Sequence, residues 1–151
     1  MDDLDRTILA ALIPDARRPL SQVADELGIA PTTLHQRVRR LEEKGVIKGS
    51  RLILDWDDVG LDVVAVVSVD VGSRGLADAA EALSAIPWVQ SCHAITGEFD
   101  IMMIVRARSS THLGAILEQI REIVPGRSRT GVVLNTFFDG RVPPLDPDRY
   151  P

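Results

Sequence analysis

Thr32, Thr33, His35, Gln36, Arg37, Arg39 and Arg40 crowd into the run PTTLHQRVRRLEEKG, residues 31–45. Hydroxyl, amide and imidazole groups give and accept hydrogen bonds, as contact with a base edge requires, and guanidinium groups pair with phosphate or guanine. The chain as a whole is acidic, with a net charge of −5. The acid is unevenly placed. Residues 1–51 carry nine Lys/Arg against eight Asp/Glu, whereas residues 52–151 carry eight against fourteen. Global charge repels a polyanion, but screening beyond ~8 Å lets the local field of Arg37, Arg39, Arg40, Lys44, Lys48 and Arg51 govern contact.

Other chemistries find little support. Cys92 is the only cysteine, which excludes an intrachain disulfide and a thiolate metal cluster. His35, His93 and His112 are scattered without metal-ligand spacing. No glycine-rich phosphate loop, nucleophile elbow or paired catalytic carboxylates stand out. The reading is therefore a non-enzyme without metal or cofactor. The apolar runs are too short to span a bilayer, and the acidic MDDLDRTILAAL start is unlike a signal peptide, so a cytoplasmic protein is expected.

Three short helices must position the polar run. Leu4, Ile8, Ala11 and Leu12 share one face of the first, with Asp2 and Asp3 at its positive end. Pro14 and Pro19 break the pattern. Ser21 reads as the N-cap of a second helix, with Leu20, Val23, Ala24 and Leu27 inward and Gly28 ending it. Pro31 suits the first position of the third helix, which buries Leu34, Val38 and Leu41. Thr32, Gln36, Arg39 and Glu43 then lie opposite, flanked by Thr33, His35 and Arg40, with Arg37 nearer the buried edge. This is a helix-turn-helix whose last helix offers a polar N-terminal face to a major groove. The competing reading is a solvated basic face, with Arg37 paired to a carboxylate such as Glu26. Ala30, where a Ser or Thr cap would help, counts against tight docking.

Beyond Gly45, residues 46–54 read as an extended ribbon and WDDVG as a turn. The remaining pattern predicts a strand over 61–71, a helix over 76–85, strands over 89–96 and 101–107, a helix over 109–124 and a strand over 132–138. The order is βαββαβ, the ferredoxin-like arrangement, with both helices on one sheet face. The other face should be polar in a monomer, yet Val64, Val66, Met102, Ile104, Val133 and Phe137 fall there. Two copies packed face to face would cover it; a different strand register, or cover by the linker and tail, would also explain the pattern. A twofold dimer would present two helix-turn-helix units to half-sites ~34 Å apart or a multiple of that.

LDRTILAAL, LSQVADELGIAPTTLHQRVRRLEEKGVIKG, SCHAITGEFDIMMIVRA and VLNTFF together resemble the Lrp/AsnC (leucine-responsive/asparagine regulator) family of prokaryotic transcription factors, in order and over nearly the whole chain. The resemblance implies an α+β protein: a winged-helix-like helix-turn-helix (1–45), a linker strand and hinge (46–58), and a ferredoxin-like domain for effector binding and oligomerisation (59–151). It implies a regulator that binds promoter DNA, forms homodimers and tetramers of dimers, and responds to an amino acid. Ser21, Thr32, Thr33, His35, Gln36, Arg37, Arg39 and Arg40 become the DNA-contacting set. Family effectors bind near the turn joining the second and third sheet strands, here TGEFD. The family usually reads Gly-Asp-x-Asp there; Gly97 and Asp100 match and Glu98 replaces the first Asp. Gly97 would let backbone N–H groups approach a ligand carboxylate, and Glu98 or Asp100 could take its ammonium. Thr96, Asn135 and Thr136 complete the expected effector set. On its residues alone, TGEFD reads equally well as a plain hairpin turn. The same layout resembles sirohaem decarboxylases, where His93 would be the acid; against that, Tyr150 is the only tyrosine and the basic third helix is intact.

Overall fold

Asp2 and Asp5 close a reciprocal capping box at the start of α1 (Asp3–Leu12). The Asp5 N–H donates to Asp2 Oδ1 at 2.8 Å, and the Asp2 N–H to Asp5 Oδ2 at 3.1 Å. In the computed structural model, which describes residues 1–145, contacts divide the chain into two units. One is Met1–Ile53 with the segment from Phe138; the other is Leu54–Phe137. The tail from Phe138, expected within a domain running 59–151, thus groups with the helical unit. Tyr150 lies outside the described residues.

α2 spans Leu20–Leu27 and α3 spans Pro31–Glu43. Ser21 does not cap α2. The Pro19 carbonyl already accepts the Val23 N–H at 3.2 Å, so the helix begins one residue before Ser21, which sits exposed in its first turn. Gly28 has φ +64°, and the following Ile29 N–H returns to the Ala24 carbonyl at 3.0 Å, so the turn between the two helices needs glycine. Pro31 opens α3, and Ala30 offers no side-chain cap, both as expected. Ile8, Val23, Ala24 and Leu34 form the core, ringed by Leu4, Ala11, Leu12, Leu20, Leu27, Ile29 and Val38. The Val46 and Ile47 N–H groups fold back onto the Leu41 carbonyl, at 2.9 and 3.1 Å. From Lys48 to Leu54 the chain is neither helix nor strand, so the ribbon expected there has no partner strand among the described residues.

The second unit is a four-stranded antiparallel sheet in the order β2-β3-β1-β4. Its elements are β1 (Val63–Val69), α4 (Leu76–Ser84), β2 (Val89–Ala94), β3 (Ile101–Ala107), α5 (Ser110–Ile123) and β4 (Ser128–Val132). Ser109 caps α5 by accepting the His112 N–H at 3.1 Å. Ala65, Val67, Val69, Ile101, Met103, Val105 and Ala107 pack beneath Ala79, Leu83, Leu113, Ile116 and Ile120 of the two helices. The helix-free face carries Val64, Val66, Met102 and Ile104, all half-buried, in register as Val66 opposite Ile104 and Ser68 opposite Met102. At one border the Arg106 guanidinium stacks on Trp56, 5.0 Å from the ring centroid, and donates to Gln90 Oε1 at 2.7 Å.

The last strand departs from expectation. It occupies 128–132, not 132–138, and every residue in it is exposed. The chain enters the sheet edge directly after α5: the Arg127 carbonyl accepts the Asp70 N–H at 2.9 Å. Gly126 passes so close that a Cβ there would lie 2.2 Å from the Asp70 carbonyl oxygen. Pairing is spent by Val133, whose N–H meets the Val64 carbonyl at 2.8 Å. Leu134, Phe137 and Phe138 lie beyond the strand and are exposed.

Candidate nucleic-acid interface and effector turn

Packing of Leu34 and Leu41 into the helical unit turns the first half of α3 outward. Thr32, His35, Gln36 and Arg39 are exposed, and Thr33 is half-buried. The arginines do not behave alike. Arg37 is tied down: its Nη1 donates to both Asp2 oxygens, at 2.8 and 2.6 Å, and to Asp5 Oδ1 at 2.8 Å. Arg40 Nη2 donates to both Asp5 oxygens at 2.9 Å. Asp5 is only 1% exposed, a buried carboxylate held by two guanidinium groups and one backbone N–H. Glu26, offered as a partner for Arg37, pairs with Arg18 instead. Arg39 is 80% exposed at its side chain and, among the described residues, pairs with Glu43, one turn on, at 2.9 Å. Two exposed ends of that kind hold each other weakly, so Arg39 is free to exchange its partner for a phosphate.

The ion cluster shifts its members' titration. A hydrogen bond from Arg37, helped by the Asp5 N–H, holds the Asp2 carboxyl down at about 2. Burial pushes the Asp5 carboxyl up, but the Asp2 N–H, Arg37 and Arg40 outweigh it and keep it below the ordinary value. Hydrogen bonds to Asp2 and Asp5 raise Arg37.

At the TGEFD turn, Gly97 has φ +121°, a conformation that suits glycine. Thr96, Gly97 and Glu98 are exposed. Glu98 Oε1 accepts from Arg127 at 2.9 Å, and its backbone carbonyl accepts from the same guanidinium at 3.1 Å. Asp100 Oδ2 accepts the Val71 N–H at 3.0 Å, bracing the turn against the end of β1. Arg127 and Arg129 stack on Phe99, 5.0 and 5.5 Å from its centroid. These two arginines were not anticipated; the basic alternation in GRSRT was their only sign. Asn135 and Thr136 are exposed past the end of β4, not on it, and make no hydrogen bond to the turn among the described residues. His93 is exposed on β2, opposite Met102. Among the described residues no metal-ligand cluster forms and no helix is long and apolar enough to cross a membrane.

A helix-turn-helix unit followed by a βαββαβ sheet with helices on one face is the layout of a two-part class of transcription regulators. Residues 1–42 match the AsnC-type helix-turn-helix domain and residues 64–143 the Lrp/AsnC ligand binding domain, and the chain belongs to the Lrp/AsnC family. It is 34% identical over 142 residues to the HTH-type transcriptional regulator LrpA of Mycobacterium tuberculosis, covering 93% of this chain and 95% of that one. It is 31% identical over 138 residues to the HTH-type transcriptional regulator FL11 of Pyrococcus horikoshii, covering 90% and 91%. Among solved structures, a feast or famine regulatory protein from M. tuberculosis complexed with L-methionine aligns with a TM-score of 0.89 at 33% identity, over 95% of this chain and 98% of that one.

Proposed function

We propose that this protein is a sequence-specific, DNA-binding transcription regulator whose DNA binding or assembly responds to an amino acid, and that it is not an enzyme. The exposed polar face of α3 carries the reading. Thr32, His35, Gln36 and Arg39 stand clear of the core while Arg37 and Arg40 lock the helix to α1. Base-edge donors and acceptors on a rigid element are what major-groove readout requires.

The division of labour follows the chain: residues 1–45 for DNA, 46–58 as linker, and the sheet unit for effector and assembly. The helix-free sheet face, with Val66 and Ile104 at its centre, is the homodimer surface, and tetramers of dimers are the fuller assembly. The L-methionine complex of the similar regulator supports an amino acid as effector class. The TGEFD turn supplies backbone N–H groups at Gly97 for a carboxylate, and Glu98 for an ammonium at the cost of its contact with Arg127.

Titrating the twenty amino acids into the purified protein by calorimetry, alongside anisotropy measurements on promoter DNA, tests both halves. Gly97→Trp is expected to abolish the effector response and leave DNA affinity in place. Amino-acid binding that persists unchanged in that variant removes the turn from the site.

A further inference from the structure

We propose that Lys44, Lys48 and Arg51, together with Arg39, form the phosphate-contacting strip of this protein, and that Asp5 withholds Arg37 and Arg40 from DNA. The inference rests on the DNA-binding reading above and changes which residues carry it. Six cations bunch between positions 37 and 51, and by sequence alone they look interchangeable. The structure separates them. Where α1 meets α3, Arg37 and Arg40 face Asp2 and Asp5, a corner without net charge. Arg37 commits Nη1 to Asp2 and Asp5 and Arg40 commits Nη2 to Asp5, and Arg6 donates to the Leu145 carbonyl. A guanidinium bound to a buried carboxylate would leave that charge unpaired if it moved to a phosphate. Arg37 and Arg40 therefore act as positioning residues for α3.

The other end of α3 has the opposite character. Lys44, Lys48 and Arg51 are exposed and form no ion pair among the described residues. With Arg39 they outnumber Glu42 and Glu43 by two charges. The Val46 and Ile47 N–H groups, bound to the Leu41 carbonyl, keep Lys44 and Lys48 beside the last turn of the helix. Arg51 follows on the segment that has neither helical nor strand hydrogen bonds to hold it away. Exposed cations of this kind, without an ion-pair partner among the described residues, release counterions on meeting DNA, which is measurable as salt dependence.

The test is the slope of log affinity against log salt for the full chain on a mixed-sequence duplex of about three helical turns, read by fluorescence anisotropy. Phosphate contact needs no particular sequence, so no operator is required. Lys48→Gln and Arg51→Gln are each expected to flatten the slope by about 0.9 per helix-turn-helix unit, and the triple variant with Lys44→Gln by roughly three times that. Arg37→Gln and Arg40→Gln are expected to lower affinity at every salt concentration with the slope unchanged. Asp5→Asn, which keeps the shape of the corner, frees the Arg40 guanidinium, leaves Arg37 on Asp2 and steepens the slope. The proposal is overturned if Arg37→Gln or Arg40→Gln flattens the slope as Arg39→Gln does, or if the triple variant keeps the wild-type slope. A wild-type chain with no salt-dependent retention on DNA removes the DNA-binding reading itself, a different failure.

Discussion

Arginines on one helix turn divide into those that build and those that reach. Arg39 reaches: its one ion-pair partner among the described residues is Glu43 on the surface, so Arg39→Ala costs little stability and removes one movable charge. Binding to all DNA sequences is expected to weaken together, with a salt slope shallower by about 0.9. Loss of discrimination at a single base pair, with the slope intact, would instead make Arg39 a base reader. Asp5 builds. Asp5→Ala leaves Arg37 and Arg40 without their shared carboxylate and opens the capping box, a loss of about 1–3 kcal/mol by thermal or urea unfolding. The same corner sets an acid limit. Asp2 and Asp5 titrate lower in the folded chain than the ordinary carboxylate value of 3.8. Their ionised forms therefore stabilise the fold fully above about pH 4, and that contribution drains as pH falls toward about 2. Melting temperature of the helical unit is expected to drop across that window, and Asp2→Asn with Asp5→Asn to flatten the drop. Asp2, Asp5, Arg37 and Arg40 are the charged groups that face one another there, and only the carboxylates titrate in acid.

At the scale of elements, close approach governs the sheet edge. Gly126→Ala would drive a Cβ to 2.2 Å from the Asp70 carbonyl oxygen, and backbone on both sides leaves little room to give. Destabilisation of about 1–3 kcal/mol is expected, confined to the sheet unit, with the salt slope on DNA unchanged. An unaltered unfolding midpoint would mean that β4 can shift along its edge. This edge also explains what was legible in the sequence. β3 is legible at 101–107 because both its faces are apolar and its ends are marked by the turn before it and the Ser109 cap after it. α2 and α3 were legible from Gly28 and Pro31, whose backbone demands are local. The sequence pattern misplaces β4 because SRTGV is polar, as an open edge strand tolerates, while the greasier VVLNTFF mimics a buried strand. The partners of Arg37 and Arg40 were hidden for another reason. They sit 32–35 residues away in sequence, and no local pattern reports on contacts that only tertiary packing creates. The TGEFD turn is half legible: Gly97 takes a φ that suits glycine and Asp100 braces the turn, but Arg127 and Arg129 come from β4 and the residue before it, where the sequence pattern predicts no strand.

At the scale of the molecule, the two helices cover one side of the sheet, and the proposed homodimer would cover the other. Helices α4 and α5 bury Val67, Val105 and their neighbours, whereas Val64, Val66, Met102 and Ile104 stay half-open. Apolar area left in water costs roughly 25 cal/mol per Å², which is the drive for the proposed pairing of this face with its own copy. Self-complementarity follows from symmetry: about a twofold axis, the same patch meets itself. Ile104→Lys places a charge at the centre of that patch while its backbone pairing with Val66 stays available. Sedimentation at micromolar concentration is expected to show a dimer for the wild type and a monomer for Ile104→Lys. DNA affinity should fall with it, because two linked reading helices bind far better than one. The salt slope per helix-turn-helix unit should hold, since no phosphate-contacting residue has changed. If Ile104→Lys sediments as a dimer, some other surface joins the copies and the open face must be covered in another way. If the wild type itself sediments as a monomer with full affinity for DNA, each chain reads its site alone, and the case for twofold half-sites falls with the dimer.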